Sequence, residues 1–247
     1  MPHGASNPAS SGRKIVLVIG ETGSGKSTLI NYLTNYFKGG NIAAPRIAIP
    51  TEYYSKPTEA YQYHEANVSN QTASQTEKCM DYDFESGTAS YRFIDTPGMS
   101  DSRGVERDEK NIQQILQAAQ SAGTLSAIVI VINGTQCRGT INLRNTLTRL
   151  RGITPNALTD NLIVVLTSCD STNFKFKLMS LHPWTLKAEN IFAMNNAALS
   201  QDPLLMLEGD HRQVMEALWK KSMAEINRFV LSSRENVQVR TLVVQWF

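Results

Sequence analysis

The run Gly20-Glu21-Thr22-Gly23-Ser24-Gly25-Lys26-Ser27-Thr28 constrains the fold of this chain more than any other stretch. It follows the apolar segment 15–19 and precedes the segment 29–33, so the pattern predicts a buried strand, a glycine-rich loop and a helix. All specified positions of the phosphate-loop pattern G-x-x-x-x-G-K-[ST] are matched. The sequence therefore predicts a site for a nucleoside triphosphate.

The residue types of this loop suit phosphate chemistry. Small residues let successive backbone N–H groups curve around an anion, and a helix that begins near Lys26 directs its positive dipole end toward the same place. We expect Lys26 to reach the β- and γ-phosphates and the Ser27 hydroxyl to ligate Mg²⁺. A dinucleotide-binding turn would need the glycine spacing G-x-G-x-x-G, which this run does not have.

Length and composition bound the class of protein. The 247 residues predict a disordered tail over 1–13 and a single domain over 14–247. Lysine and arginine number 24 against 22 aspartates and glutamates, with no basic block, so nothing indicates nucleic-acid binding. Three dispersed cysteines, no signal-peptide pattern and no apolar run of bilayer length predict a cytoplasmic protein, and no membrane segment is evident.

Continuous apolar runs at 127–132 and 162–166 are typical of parallel strands that are covered on both faces. Helical patterns lie at 106–119, 141–150 and 210–232, and a hairpin is predicted for 78–85 with 89–94. The polar stretch 41–75 predicts a long loop that is functional or mobile. We therefore predict an α/β fold, a three-layer P-loop NTPase domain with a mostly parallel sheet and helices on both faces.

Asp95-Thr96-Pro97-Gly98 ends the second strand of the predicted hairpin. An acidic residue at this end of a strand beside a phosphate loop can hold Mg²⁺ through water, and the Gly98 N–H can contact a γ-phosphate. The same four residues also form ordinary turns. Their position roughly seventy residues after the phosphate loop favours the functional interpretation.

Thr167-Ser168-Cys169-Asp170 follows the strand 162–166, and Asn195-Asn196 follows a short strand predicted for 190–194. A carboxylate at Asp170 can accept two hydrogen bonds from the N1–H and N2–H₂ edge of guanine, a donor pair that adenine lacks. The alternative is an aspartate that caps a helix or a turn. Its position in the sequence favours base recognition.

The order of these motifs resembles that of regulatory GTPases, and above all the septin-related group that includes AIG or GIMAP GTPases and the plastid-import receptor GTPases. Ser74–Cys79 is similar to the GIMAP switch I signature Ser-Val-Thr-x-x-Cys, and Asn195-Asn196 resembles a GIMAP base-side motif. The resemblance implies a G domain in which Thr76 ligates Mg²⁺ together with Ser27 and Asp95. It also implies that Gly98 senses the γ-phosphate and that Thr167, Asp170 and Asn195 hold guanine.

Two positions depart from the common GTPase pattern. Ser168 stands where many GTPases place a lysine whose stem covers the guanine plane, and Met99 stands where Ras-like enzymes place a water-orienting glutamine. A thioether does not orient water by strong hydrogen bonds. With Lys26, Thr76 and Gly98 as the catalytic groups, we expect slow hydrolysis unless a partner or a second subunit contributes.

The sequence thus predicts a protein that binds GTP or GDP with Mg²⁺ and acts as a nucleotide-dependent switch, and the resemblance implies a homodimer or oligomer. Two alternatives stay open at this point. One is an ATPase or kinase built on the same loop, in which Asp170 is structural. The other is a non-catalytic GTP-binding scaffold, which would be consistent with Met99.

Overall fold

The computed structural model describes residues 12–61, 76–87, 89–100, 104–153, 161–184, 186–204, 209–235 and 239–240. Strand β1 (Lys14–Gly20) leads through the phosphate loop into helix α1 (Lys26–Lys38). The residues that flank α1, Gly25 and Gly39, have left-handed φ angles of 95° and 68°. Glycine adopts such angles without steric cost, so α1 begins and ends at glycines.

The other elements alternate along the chain. The further strands are β2 (Met80–Ser86), β3 (Ala89–Asp95), β4 (Thr124–Leu125), β5 (Ala127–Asn133), β6 (Leu162–Thr167), β7 (Ile191–Met194) and β8 (Val239–Arg240). The further helices are α2 (Val105–Ser121), α3 (Ile141–Ile153) and α4 (Gly209–Glu235). Short 3₁₀ helices lie at Leu178–Leu181, Ala188–Asn190 and Asn196–Leu199.

Six strands form one sheet in the order β2-β3-β1-β5-β6-β7. All neighbours in this sheet are parallel except β2 and β3, which form the predicted antiparallel hairpin. In the register of the sheet Asp95 lies beside Val18, and Thr167 lies beside Met194. The segments that follow β1, β3, β6 and β7 therefore meet at the carboxyl edge of the sheet, where ligands bind in open α/β sheets.

Helices cover both faces of the sheet, as predicted. Side chains alternate along each strand, so Val16 and Val18 pack on the face that carries α1 and α4, whereas Leu17 and Ile19 pack on the face that carries α2 and α3. The central strands are apolar at nearly every position because both faces are buried. The predicted three-layer α/β G-domain fold is confirmed.

The polar stretch that follows α1 is partly packed against the core. Ile47, Ala48 and Ile49 are buried, and the Asn31 side chain donates to the Ile49 carbonyl and accepts from the N–H groups of residues 48 and 49. The sequence predicts a functional or mobile loop over 41–75, of which residues 62–75 lie outside the described part. Residues 47–49 are thus a fixed part of the domain.

The structure describes the two ends of the chain only in part. Residues 1–11 lie outside the described part, so the division into a tail and a single domain stays a prediction. The carboxyl end of the predicted domain over 14–247 is described only at β8, residues 239–240, which pairs antiparallel with β4. Among the helices that the structure describes, none is long and apolar enough to cross a bilayer.

Candidate functional site

The phosphate loop wraps the space between β1 and α1. Gly23 and Gly25 both have left-handed φ angles, 72° and 95°, which a residue with a Cβ adopts only under strain. The Lys26 side chain is 6% exposed, and its ammonium donates to the carbonyl oxygens of Gly20 and Glu21 across 3.2 and 3.1 Å. The Lys26 ammonium is therefore held against the loop, and the first turn of α1 points at the centre of the loop.

The loop is also held from the side by the end of β6. The Thr167 hydroxyl donates to the Ser24 carbonyl across 2.6 Å, and a Cβ added to Gly25 would lie 3.2 Å from the Thr167 methyl carbon. Thr167 was predicted to bind nucleotide. The structure shows that it braces the phosphate loop as well as bordering the adjoining cavity.

Asp95 lies at the bottom of the site, completely buried. Its Oδ2 accepts a long hydrogen bond of 3.5 Å from the Thr76 hydroxyl, and its Oδ1 has no hydrogen-bond partner in the described part of the chain. Burial raises the pKa of Asp95 to about 6, and the positive charge of Lys26 opposes that rise. A buried carboxylate with an unpartnered oxygen is stabilised by a cation.

The residues around Asp95 fit Mg²⁺. In nucleotide sites this ion is held by one or two carboxylates and hydroxyls together with phosphate oxygens and water. Asp95 and Thr76 are in contact, and Ser27 lies in the first turn of α1, directly after Lys26. Among the described residues there is no cluster of three or more His, Cys, Asp or Glu side chains, so these residues would hold the ion jointly with a bound phosphate.

Gly98 and Met99 lie directly against the phosphate loop. The Met99 N–H donates to the Gly20 carbonyl across 3.2 Å, and the Thr22 N–H donates to the Met99 carbonyl across 2.8 Å. A Cβ added to Gly98 would lie 2.8 Å from the Thr22 Cα, so only glycine fits. The Met99 side chain has no exposed surface and packs with apolar residues of β1, α2 and α3.

A cavity of about 330 Å³ adjoins the phosphate loop on the side of β6 and β7. Its walls include Gly25, Thr28, Thr167, Ser168, Asn195 and Asn196. Ser168 is exposed and has a left-handed φ of 56°, an uncommon conformation for a non-glycine residue. The cavity is thus continuous with the phosphate loop and is bordered by the ends of β6 and β7.

Asn195, which was predicted to hold the base, and its neighbour Asn196 differ in their contacts. The Asn195 Oδ1 accepts from the Ala197 N–H and caps a 3₁₀ helix. Asn196 is 6% exposed, and neither its Oδ1 nor its Nδ2 has a partner in the described structure. An amide buried without partners is costly, and Asn196 is a lining residue of the cavity, as Asn195 is.

Asp170 is not among the residues that line the cavity. Its Oδ1 accepts from both the N–H and the hydroxyl of Thr172, and these bonds hold the pKa of Asp170 below its ordinary value. This is the turn geometry that the sequence left as the alternative. The structure brings together Lys26, Thr76, Asp95, Gly98 and Thr167, and leaves the Asp170 carboxylate in its own turn.

Two contacts of the site were not predicted from the sequence. The Glu21 carboxylate, predicted to bind nucleotide, accepts from the Thr140 N–H across 3.0 Å at the start of α3. The buried Asn111 of α2 donates to the Gly98 carbonyl across 2.8 Å. Asn111 is a polar residue on the buried face of α2 beside Ile112 and Ile115, and its position there is a signal that the sequence carried.

The fold and the site define a phosphate-loop GTPase domain. Residues 15–168, more than half of the chain, match the family model described as a 50S ribosome-binding GTPase. The chain belongs to this GTPase family. Among curated proteins, none matches it.

Several solved structures share the fold. Toc33 from Arabidopsis thaliana, in a dimerization-deficient mutant and in a complex with GDP and Mg²⁺, has a TM-score of 0.54 at 12% identity, over 94% of this chain and 88% of that one. A structure concerned with dimerization of the chloroplast translocon components Toc33 and Toc159 has a TM-score of 0.52 at 12% identity, over 94% and 86% of the two chains. At this identity the likeness shows the fold alone.

Proposed function

We propose that this protein binds GTP and GDP with Mg²⁺ and hydrolyses GTP slowly, as a nucleotide-dependent switch or assembly module. The observation that carries the proposal is the buried Asp95 carboxylate, which has one unpartnered oxygen, contacts Thr76 and lies within the electrostatic reach of Lys26. A buried carboxylate beside a phosphate loop can ligate a cation that binds together with a phosphate.

The chemistry would be in-line attack of water on the γ-phosphate. Mg²⁺, when bound, would neutralise charge on the β- and γ-phosphates. Lys26 would leave the carbonyls of Gly20 and Glu21 to stabilise the charge that develops on the γ-phosphate oxygens. Met99 is buried in the apolar core and presents no polar group to the attacking water, which is the reason we propose a slow reaction.

At the base end, we assign the contact with the purine to Asn196. An amide offers one donor and one acceptor, which match the O6 and N1–H positions of guanine as well as the N6 and N7 positions of adenine. Preference for guanine would therefore need a further group, and Asp170 would supply it if its Oδ2 turned toward the cavity. The Thr172 bonds use only the Oδ1 of Asp170.

The proposed subgroup is the AIG or GIMAP type, supported by Thr76 and Cys79 in the switch I pattern and by the contact of Thr76 with Asp95. The proposed assembly is a homodimer. Toc33 is described with GDP and Mg²⁺, and dimerization is important for the GTPase activity of the chloroplast translocon components. We extend both properties to this chain, together with a cytoplasmic location, as proposals.

Calorimetry of the full chain with Mg²⁺ and either GDP or ADP tests the nucleotide assignment. We expect GDP to bind at least about tenfold more tightly, a difference that one additional hydrogen bond to the base supplies. Equal or tighter binding of ADP would overturn the assignment in favour of an ATPase or kinase. A titration without Mg²⁺ is the control, and we expect GDP to bind more weakly in it.

The burial of Met99 also favours a second candidate, a GTP-binding scaffold without catalysis. Single-turnover hydrolysis of GTP at increasing protein concentration separates the two. A rate that rises with concentration supports a dimer in which the second subunit assists. A rate that is negligible and independent of concentration supports the scaffold.

A further inference from the structure

We infer that Met99 makes this site select a nucleoside diphosphate over a triphosphate, by latching the backbone of residues 98–100 onto the phosphate loop. The inference rests on the proposed function, because it concerns the same nucleotide site. We call the pair of main-chain hydrogen bonds between Met99 and the loop, Met99 N–H to Gly20 O and Thr22 N–H to Met99 O, the latch.

The latch occupies the side of the loop where a third phosphate must enter. The γ-phosphate of a triphosphate lies between the loop and the glycine that senses it, which here is Gly98. Gly98 is in direct contact with Thr22, since a Cβ on Gly98 would lie 2.8 Å from the Thr22 Cα and 2.9 Å from its nitrogen. No phosphoryl group fits between two segments that are joined by hydrogen bonds of 2.8 and 3.2 Å.

A diphosphate needs no such opening. Its β-phosphate would bind to the N–H groups at the start of α1, whereas the latch uses Gly20 and Thr22 at the beginning of the loop. The loop can therefore hold two phosphates with residues 98–100 in place, whereas a third phosphate requires that both hydrogen bonds of the latch break.

Two further contacts keep the latch closed. The Asn111 side chain donates to the Gly98 carbonyl across 2.8 Å, and the Ser100 hydroxyl lies 3.1 Å from the Thr140 hydroxyl. Ser100 has a left-handed φ of 60°, so the segment that follows Met99 is held in a conformation that a non-glycine residue adopts at a cost. Release of the latch would relieve this strain but would break the bonds of Asn111 and Ser100.

The Met99 side chain also anchors the latch in the core. It has no exposed surface and packs in the apolar cluster that includes Leu17, Ile19 and Ile112. A triphosphate must withdraw this side chain in part, and an apolar group of this size resists exposure to water. The glutamine of Ras-like enzymes would have no such anchor, because its amide is poorly accommodated in an apolar cluster.

The first test compares affinities for GDP and for a non-hydrolysable GTP analogue, by calorimetry with Mg²⁺. We expect the wild type to favour GDP. Both Met99→Gln and Asn111→Leu should shift the ratio of the two affinities toward the analogue by about tenfold, which is the effect of losing one or two hydrogen bonds. Asn111→Leu removes the hold on Gly98 without placing a new polar group near the phosphates. The control, Met99→Leu, keeps the apolar anchor and should leave the ratio within about twofold.

The second test uses the wild-type chain and does not depend on the folding of any variant. Amide hydrogen exchange at Thr22 and Met99 should be slow with GDP bound and faster with the analogue bound. Equal wild-type affinities, ratios that do not change in the two variants, or amides equally protected in both complexes would each overturn the inference. If neither nucleotide binds, the proposed function fails instead.

Discussion

The hydroxyl of Thr167 donates a hydrogen bond of 2.6 Å to the carbonyl oxygen of Ser24, and so joins the end of β6 to the phosphate loop. The same hydroxyl lies 3.3 Å from the Ile132 carbonyl at the end of β5. One side chain therefore connects the loop that would hold the phosphates to the two strands behind the cavity that would hold the base.

We expect Thr167→Val to lower the affinity for GDP about five- to tenfold, because the substitution preserves the shape of the side chain but leaves the Ser24 carbonyl without its donor. Calorimetry with Mg²⁺ measures the effect. Thr148→Val, which removes an exposed hydroxyl bonded to the Arg144 carbonyl within α3, is the matched control and should bind GDP normally. Equal affinities of the two variants would contradict a bracing role for Thr167.

Lys26→Ala should lower the affinity for the GTP analogue at least about a hundredfold, because the loop would lose the cation that faces the phosphates. The same variant removes the charge that opposes protonation of Asp95, so binding of Mg²⁺ should weaken with it. Lys38→Ala, at the exposed end of α1, is the control. An unaltered affinity in the Lys26 variant would contradict the assignment of the whole site.

Asn196→Ala and Asn195→Ala form a pair that separates a base contact from a structural cap. We expect the Asn196 variant to bind GDP about tenfold more weakly with little change in the unfolding temperature, because its amide has no partner to lose in the described structure. The Asn195 variant should instead lower stability, by about 1 kcal/mol, since it loses a cap. The reverse pattern would assign the base to Asn195, as the sequence predicts.

The stability of the metal- and nucleotide-free protein should fall as pH rises from 4 to 7. The pKa of Asp95 is raised from 3.8 to about 6 in the folded chain, so between these values the folded state binds more protons than the unfolded state. The stabilisation is complete below pH 4 and is lost as pH passes through 6. Its size is on the order of 1–3 kcal/mol, from the conversion of about 1.4 kcal/mol per unit of pKa.

Urea unfolding in the presence of EDTA at several pH values measures this dependence. Asp95→Asn keeps a neutral group at the site and should flatten the profile over the same range. A wild-type profile that rises from pH 4 to 7 would show that Asp95 is ionised more easily than its burial indicates. Addition of Mg²⁺ with GDP should reverse the loss at pH 7, because ligands that bind the folded state stabilise it.

The fold could be predicted from local patterns in the sequence. Strands β5 and β6 are unbroken apolar runs, and such runs are typical of strands between two layers of helices. The phosphate loop was predictable for a similar reason, because its glycines and Lys26 are needed by one short stretch of backbone. Asp95 is the last residue of β3 and Gly98 lies against the phosphate loop, so their positions followed from the same local pattern, whereas their roles stay predictions.

The hydrogen-bond partners of individual side chains could not be predicted from the sequence, because tertiary contacts determine them. The Glu21 carboxylate accepts from Thr140 over a separation of 119 residues, and no local pattern indicates this pairing. For Asp170 a local signal existed, since an aspartate two residues before a threonine can form a turn with it. Met99 was recognised as lacking a polar group, but its burial beneath the loop required the structure.

The short pairing of β8 with β4 has a practical consequence for measurement. Thr124 and Leu125 directly precede β5, so the pairing holds residues 239–240 at the amino edge of the sheet, opposite the edge that carries the phosphate loop. A fluorophore or surface tether coupled through β8 would start on the far side of the domain from the nucleotide. Immobilised protein attached in this way would present its loop and cavity to the solution, where the binding of added nucleotide can be followed without obstruction.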